Sequence, residues 1–321
     1  MITYSDNNFN KEISLAPMLD VTTANFRKLV RISSEKTVIF TEMIVSSTVL
    51  HIETDKLRER LGLIDNNTVV QIGGSDPEEI SNAVIILQNL GCTHFNLNVG
   101  CPSSRVQKGC FGAILMKDKY LVSDIVNSVY TKCKTVISLK IRTGVNDCDT
   151  YDFFKDFVSH IITNTPVSKF YVHARKCWLS GLSPKQNRTV PPLNYDFVYR
   201  IKEDFPHIKF ILNGGLKGIE DIEKLKNLDG MMIGREAIKN ILVFTSIDEH
   251  LYGTTKINVN DILCQYLKEF DGNSLANFRI LGPIQHILYG QKGTKKFKIF
   301  LNEAVRQKYT LNKVIEQLEQ I

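Results

Sequence analysis

Cys101 stands at the end of Phe95-Asn96-Leu97-Asn98-Val99-Gly100-Cys101-Pro102, an apolar run whose last residues turn polar. A segment that needed only to pack would not carry two asparagines at spacing two, which puts both on one face of a strand. The stretch reads as a buried strand that delivers a thiol into a Gly/Pro turn. With an ordinary pKa of about 8.5 the thiol is mostly protonated at neutral pH, so Cys101 can serve as a general acid from a mobile loop. Many cysteines are merely small buried hydrophobes, but Asn98 and Pro102 beside this one favour the chemical reading. Cys92 and Cys110 have no such support.

Polar residues close other apolar runs in the same way: Glu42, Gln71, Lys140 with Arg142, His173 with Arg175, Asn213, and Gly234-Arg235. Lys140 and Arg142 share a strand face, and a lysine there is costly unless an anion needs it. The negatively charged ring of a reduced flavin is such an anion, and a solvated strand end is the plainer alternative. His173 repeats the pairing with Arg175, against the alternative of a core histidine bonded to backbone. Gln71 either donates to a ring carbonyl or caps a turn. Asn213-Gly214-Gly215 and Gly234-Arg235 suit a phosphate held by backbone N–H groups and a helix N-terminus, Arg235 adding a charged contact; ordinary turn glycines compete with this.

Eight short strands must position these residues: Ile13 to Met18, Thr37 to Met43, Thr68 to Ile72, His94 to Val99, Val136 to Arg142, Lys169 to Arg175, Lys209 to Asn213 and Gly230 to Ile233. Each is rich in Val, Ile, Leu or Phe, as buried parallel strands are. Segments of helical period lie between them, such as Asp76 to Leu90, with Asp76 at the N-cap, Pro77 at the first turn and Gly91 after the end. Eightfold strand-helix alternation predicts a (β/α)8 TIM barrel, whose C-terminal strand ends would gather the polar residues on one rim. A doubly wound open sheet competes, but Pro17-Met18-Leu19-Asp20 is not the Gly-rich turn it usually carries after its first strand. The barrel is expected over 1–248, with Leu251 to Thr255 as a linker and a small all-helical domain over 255–321.

With 321 residues and 43% hydrophobic content, the chain can bury a substantial core and exceeds what a barrel alone requires. No signal peptide is visible and no apolar run approaches the roughly 20 residues that span a bilayer, so a cytoplasmic protein is expected, or an organellar one after import. Seven cysteines without a C-x-x-C pair argue against a disulfide scaffold and a standard zinc or iron–sulfur site, and no metal is expected. The net charge of +6 is modest, but its placement is informative. Lys292, Lys295, Lys296 and Lys298 cluster near the C-terminus, and Lys176, Lys185 and Arg188 sit in the long loop after the sixth strand. These are either solvated faces or a surface that tracks phosphates. Trp178 in that loop either stacks on a base or pins the loop.

Taken together, Leu15-Ala16-Pro17-Met18, Thr41-Glu42-Met43, Val70-Gln71-Ile72-Gly73-Gly74, Asn96 to Pro102, Gly109 to Leu115, Lys140-Ile141-Arg142-Thr143-Gly144, His173-Ala174-Arg175 and Asn213-Gly214-Gly215 resemble the tRNA-dihydrouridine synthases, in order and over nearly the full chain. The loop from Ala174 to Arg188, followed by Pro191-Pro192-Leu193-Asn194-Tyr195, resembles the A-type branch. The resemblance implies an FMN-binding barrel followed by a helical tRNA-binding domain, with Pro17, Met18, Gln71, Lys140, His173, Asn213, Gly214, Gly215, Gly234 and Arg235 around FMN. It implies that NADPH reduces the flavin, that hydride passes to C6 of a D-loop uridine, U20 or U20a, and that Cys101 protonates C5. Asn98, Arg142 and Arg175 are then expected at the substrate, and Lys185, Arg188, Lys295, Lys296 and Lys298 on the tRNA. Ile299 departs from the basic pattern of that branch. Two other classes compete: a flavin oxidoreductase of a free pyrimidine, resembling dihydroorotate dehydrogenase, and a non-catalytic tRNA-binding protein. No obligate protein partner is indicated.

Overall fold

The computed structural model describes residues 11–255 and 257–318, the side chains of Arg105 and Lys108 excepted. The outer ends of the two expected domains, 1–10 and 319–321, lie outside the described residues. Eight parallel strands close on themselves: β1 (Glu12–Leu15), β2 (Val38–Phe40), β3 (Thr68–Gly73), β4 (His94–Asn98), β5 (Ser138–Arg142), β6 (Lys169–His173), β7 (Lys209–Asn213) and β8 (Gly230–Ile233). Closure runs through β1, which pairs with β2 (Ser14 opposite Val38) and with β8 (Leu15 opposite Ile233). Crossover helices cover the outside, as parallel strands require.

The strand period of two sorts the core into two clusters. Outward residues such as Leu15, Val70, Leu97, Leu139, Val172 and Leu212 join the helices in one large cluster. Inward residues Ala16, Phe40, Val69, Tyr171, Ile211 and Met232 form a separate plug inside the barrel. Two residues beyond Val69, Tyr171 and Ile211, on the same inward parity, come Gln71, His173 and Asn213. The plug therefore ends where the polar mouth begins, which is the arrangement expected of this architecture.

The second strand is shorter than the expected Thr37 to Met43. After Phe40 the hydroxyl of Thr41 accepts the Gln71 N–H at 3.1 Å, a bond the ladder would otherwise give to a carbonyl. The Thr41 N–H still reaches the Val69 carbonyl at 3.0 Å, but pairing lapses at Glu42 and Met43 and resumes at Ile44–Val45, against Ile72 and Gly73. The freed Glu42 side chain accepts the Asp20 N–H at 2.6 Å, tying the loop after β1 to that after β2. The helix predicted after β3 spans Pro77–Asn89; the Asp76 side chain caps it by accepting from Glu79 N–H at 2.8 Å, and Gly91 beyond it has φ +89°.

The expected linker is half helix: Val243–Tyr252 runs through Leu251 and Tyr252 and stops at Gly253, whose φ of +64° only glycine adopts freely. The segments that follow are helical, among them Val259–Lys268, Thr294–Arg306 and Leu311–Leu318. Val259–Lys268 and the short turn Pro283–His286 pack against helix Ala24–Ser33, which follows β1, while Thr294–Arg306 packs on that turn and Leu311–Leu318 on Val259–Lys268; their buried residues are continuous with the large cluster of the barrel. Lys28 pairs with Glu269 at 3.2 Å, and Asn25 Nδ2 donates to the Arg279 carbonyl at 2.9 Å. Tyr266, fully buried, donates its hydroxyl to the Ile280 carbonyl at 2.7 Å. Replacing it, Tyr266→Phe, leaves that carbonyl without a partner and is expected to cost about 1–3 kcal/mol in a urea unfolding titration.

Candidate active site at the barrel mouth

A cavity of about 1010 Å³ opens at the C-terminal ends of the strands. Its size matches small-molecule and cofactor sites, which reach about 1,000 Å³. Of the residues expected to act, Pro17, Met18, Gln71, Asn98, Cys101, Lys140, Arg142, His173, Arg188, Asn213, Gly214, Gly215, Gly234 and Arg235 line it. Seven cationic side chains (Arg60, Lys140, Arg142, Arg188, Lys217, Arg235, Lys239) face two carboxylates (Asp20, Glu236) in its wall. Such a wall selects for anions.

On one side, buried amides form a chain. Asn96 donates to Ser138 Oγ at 2.9 Å, Gln71 Nε2 to Asn96 Oδ1 at 2.8 Å, and Asn98 Nδ2 to Gln71 Oε1 at 2.8 Å. Asn98 Oδ1 then accepts the N–H groups of Gly100 at 3.1 Å and Cys101 at 2.9 Å. The spacing noticed in the sequence thus has a mechanical meaning: the asparagine at the strand end holds the thiol loop. Each amide nitrogen carries two hydrogens, so Gln71 and Asn98 still have one donor each for a ligand.

On the other side Lys140 Nζ donates to Asn213 Oδ1 at 3.1 Å, and Asn213 Nδ2 donates to the Met232 carbonyl at 2.7 Å. Among the described residues no carboxylate pairs with Lys140, so burial, reinforced by the positive charge of Arg142, pushes its pKa down to about 7. His173 is held neutral, well below its ordinary value, by burial and then by Arg142, Lys140, Arg175 and Arg235. Beside them Gly214 and Gly215 have φ of +111° and +73°, and a Cβ on Gly214 would lie 2.7 Å from His173 Cδ2. The two glycines permit a turn that presses on the imidazole and presents consecutive N–H groups to the cavity.

Arg142, expected at the substrate, lines the cavity and also holds its loops. It is 4% exposed, and its Nε donates to the Gly100 carbonyl at 2.7 Å while Nη1 reaches the carbonyls of Lys176 at 3.2 Å and Asn187 at 3.3 Å. It clamps two loops together. Arg175, also expected at the substrate, lies outside the cavity lining: its N–H turns back onto the His173 carbonyl at 2.7 Å as soon as β6 ends. Its guanidinium donates instead to the Pro191 carbonyl. Arg235 Nη2 donates to the Arg188 carbonyl at 2.9 Å, so the expected phosphate ligand also fastens the long loop.

Lys185, Lys295 and Lys296 are exposed outside the cavity. Lys298, expected on the same surface, is half-buried and meets His286 Nδ1 at 3.1 Å. At Trp178 the backbone N–H and carbonyl both engage the fully buried Asn187, which holds the loop there, and Lys176 lies 4.5 Å over the indole ring. Asn187 escaped sequence reasoning, since a polar residue in a polar loop carries no periodic signal. Lys217 was missed for the same reason, and Arg60 and Lys239 because a cation on a helix reads as a solvated face.

The charge state of Lys140 is testable. Between about 7 and 10.5 the unfolded chain holds a proton that the ligand-free folded protein has released, so stability rises with pH in that window. The advantage of Lys140→Met over wild type in urea is expected at pH 7 and should shrink towards pH 9, by at most about 1.4 kcal/mol per pH unit. A pH-independent difference would show that the lysine is not titrating there.

The comparisons with known proteins agree with this geometry. The chain is 41% identical over 256 residues, 79% of its length and 77% of the relative's, to a protein of Pasteurella multocida (strain Pm70) named tRNA-dihydrouridine(20/20a) synthase. A protein of the same name from Salmonella typhi is 36% identical over 310 residues, 95% of this chain and 93% of that one. Among solved structures, histamine dehydrogenase from Rhizobium sp. 4-9 shares the barrel fold, with a TM-score of 0.51 and 10% identity over 80% of this chain and 48% of that one. The family model described as dihydrouridine synthase matches residues 14–320, and with these relatives it shows that the chain belongs to the dihydrouridine synthase family.

Proposed function

We propose that this chain is an FMN-dependent tRNA-dihydrouridine synthase that reduces the C5=C6 bond of D-loop uridines 20 and 20a, with NADPH as electron source. The observation that carries the reading is a cationic mouth in which a half-buried lysine, bonded to an amide oxygen, faces a thiol loop held by an asparagine. The names of the relatives supply the substrate and its positions.

The donor set fits FMN. Gly214-Gly215 and Gly234-Arg235 suit the phosphate, with Arg235 as charged partner, and Gln71, Lys140 and Asn213 suit the polar edge of the ring. Bound there, the flavin supplies the hydride. Lys140 takes up a proton when an anion sits beside it and holds it at Nζ, which is how a lysine with a depressed pKa becomes a charge stabiliser on demand. Neutral His173 adds no competing charge. Asn98 orients the uracil with its remaining N–H, and Cys101 Sγ gives its proton to C5. Because Cys101 is partly exposed, solvent restores that proton.

A uridine must leave its stack to enter the mouth, and backbone phosphates then lie around the rim. Arg188 in the wall and exposed Lys185 meet them on one side. The helical segment over 255–321, with Lys295 and Lys296 exposed, provides a further RNA surface in a cytoplasmic enzyme. Lys298 contributes through His286 and the helix packing.

Incubating the NADPH-reduced protein with tRNA lacking dihydrouridine should produce dihydrouridine at 20 and 20a; reduction of free uracil without tRNA would instead support the free-pyrimidine class. Cys101→Ala should keep the flavin spectrum and lose about 10²–10⁴-fold in turnover, the usual worth of a general acid. Unchanged turnover removes Cys101 from the reaction. Arg235→Ala should release FMN on gel filtration, and full occupancy would contradict the phosphate role.

A further inference from the structure

The thiol loop is tethered at its start by Asn98 and Arg142, but a third tether joins it to a different part of the molecule. Gln107 lies on the short helix Ser104–Lys108 that follows the thiol. Its Nε2 donates to the Pro102 carbonyl at 2.8 Å, next to Cys101, and to the Leu179 carbonyl at 2.6 Å, in the long loop after β6. Both hydrogens of one neutral amide nitrogen are thereby used on carbonyls of separate segments.

The far end of this tether is itself firmly held. Leu179 N–H donates to Asn146 Oδ1 at 2.9 Å, and Asn187 Nδ2 donates to the carbonyls of Trp178 at 2.9 Å and Leu182 at 3.2 Å. Asn187 is followed directly by Arg188 in the cavity wall and preceded closely by exposed Lys185. The segment that meets phosphates is thus wired, through Leu179 and one carboxamide, to the residue after the thiol.

We propose that Gln107 is a positioning residue for Cys101: it fixes the thiol relative to the 176–190 loop, so that an RNA seated on that loop places the proton donor. The inference rests on the reading of Cys101 as proton donor. It requires a side chain with two N–H donors of this length; methionine matches the length and donates nothing, while lysine keeps N–H donors.

The test uses the flavin-loaded enzyme with Gln107→Met and Gln107→Lys. Alkylation of Cys101 by iodoacetamide, followed on its own peptide, reports the freedom of the loop without turnover. Stopped-flow traces separate flavin bleaching by NADPH from reoxidation by tRNA. In Gln107→Met, alkylation should be several-fold faster and reoxidation slower by about tenfold or more, since small misplacements of a reacting group cost that much. Bleaching, FMN content and the KM for tRNA should be unchanged, and Gln107→Lys should recover most of the reoxidation rate. Wild-type values for alkylation and reoxidation in Gln107→Met overturn the proposal, and so does a loss of FMN or of folding in both variants, which marks a general structural role. If tRNA fails to reoxidise even the wild type, the functional reading falls while the alkylation rates still decide whether the tether exists.

Discussion

A half-buried lysine with no carboxylate partner among the described residues is the constraint on which the rest of the mouth depends. Lys140 can be tolerated there because Asn213 offers an amide oxygen and no charge, and because the Met232 carbonyl fixes which way that amide points. A carboxylate in place of Asn213 would neutralise the lysine permanently and leave nothing for a ligand to gain. The same logic keeps His173 uncharged, since burial and the positive charges of Arg142, Lys140, Arg175 and Arg235 all oppose a further cation there. The site is thus electrostatically incomplete by design of its own side chains, and an anionic ligand completes it.

Strand parity explains how the fold delivers that incompleteness to one place. Inward positions carry Val69, Tyr171 and Ile211 in the plug and, one step further, Gln71, His173 and Asn213 in the mouth. Because successive inward residues are two apart and all strands run the same way, an apolar floor and a polar ceiling need no special instruction beyond the order of residues along each strand.

This is why the barrel and its strand-end residues were legible in the sequence and the loop residues were not. Gln71, Asn98, Lys140, His173 and Asn213 sit on periodic elements, so their direction follows from counting. Arg175 has the same spacing from His173 as His173 has from Tyr171, yet the strand ends at His173 and the turn carries it to Pro191. Arg142 stands at the height expected from its strand, but the backbone carbonyls its guanidinium meets belong to loops that have no period. The second strand was overextended because Thr41 looks like any β-branched strand residue until its hydroxyl takes a ladder bond. Lys298 was grouped with Lys295 and Lys296 by composition, while the helix turns it towards His286.

The docking of the C-terminal helices on Ala24–Ser33 has a consequence for the order in which the protein acquires its structure. Asn25 and Arg279, which bond across this contact, are 254 residues apart in the chain. During synthesis the barrel's first helix therefore has its outer face uncovered until almost the whole chain has emerged. Contacts of such sequence separation form late and slowly. Asn25 and Lys28, whose side chains make this contact, face water until then, so the earliest helix made is among the last to be sealed. Its exposed interval is where a nascent chain of this kind is most open to wrong association, and where a chaperone would find the most to hold.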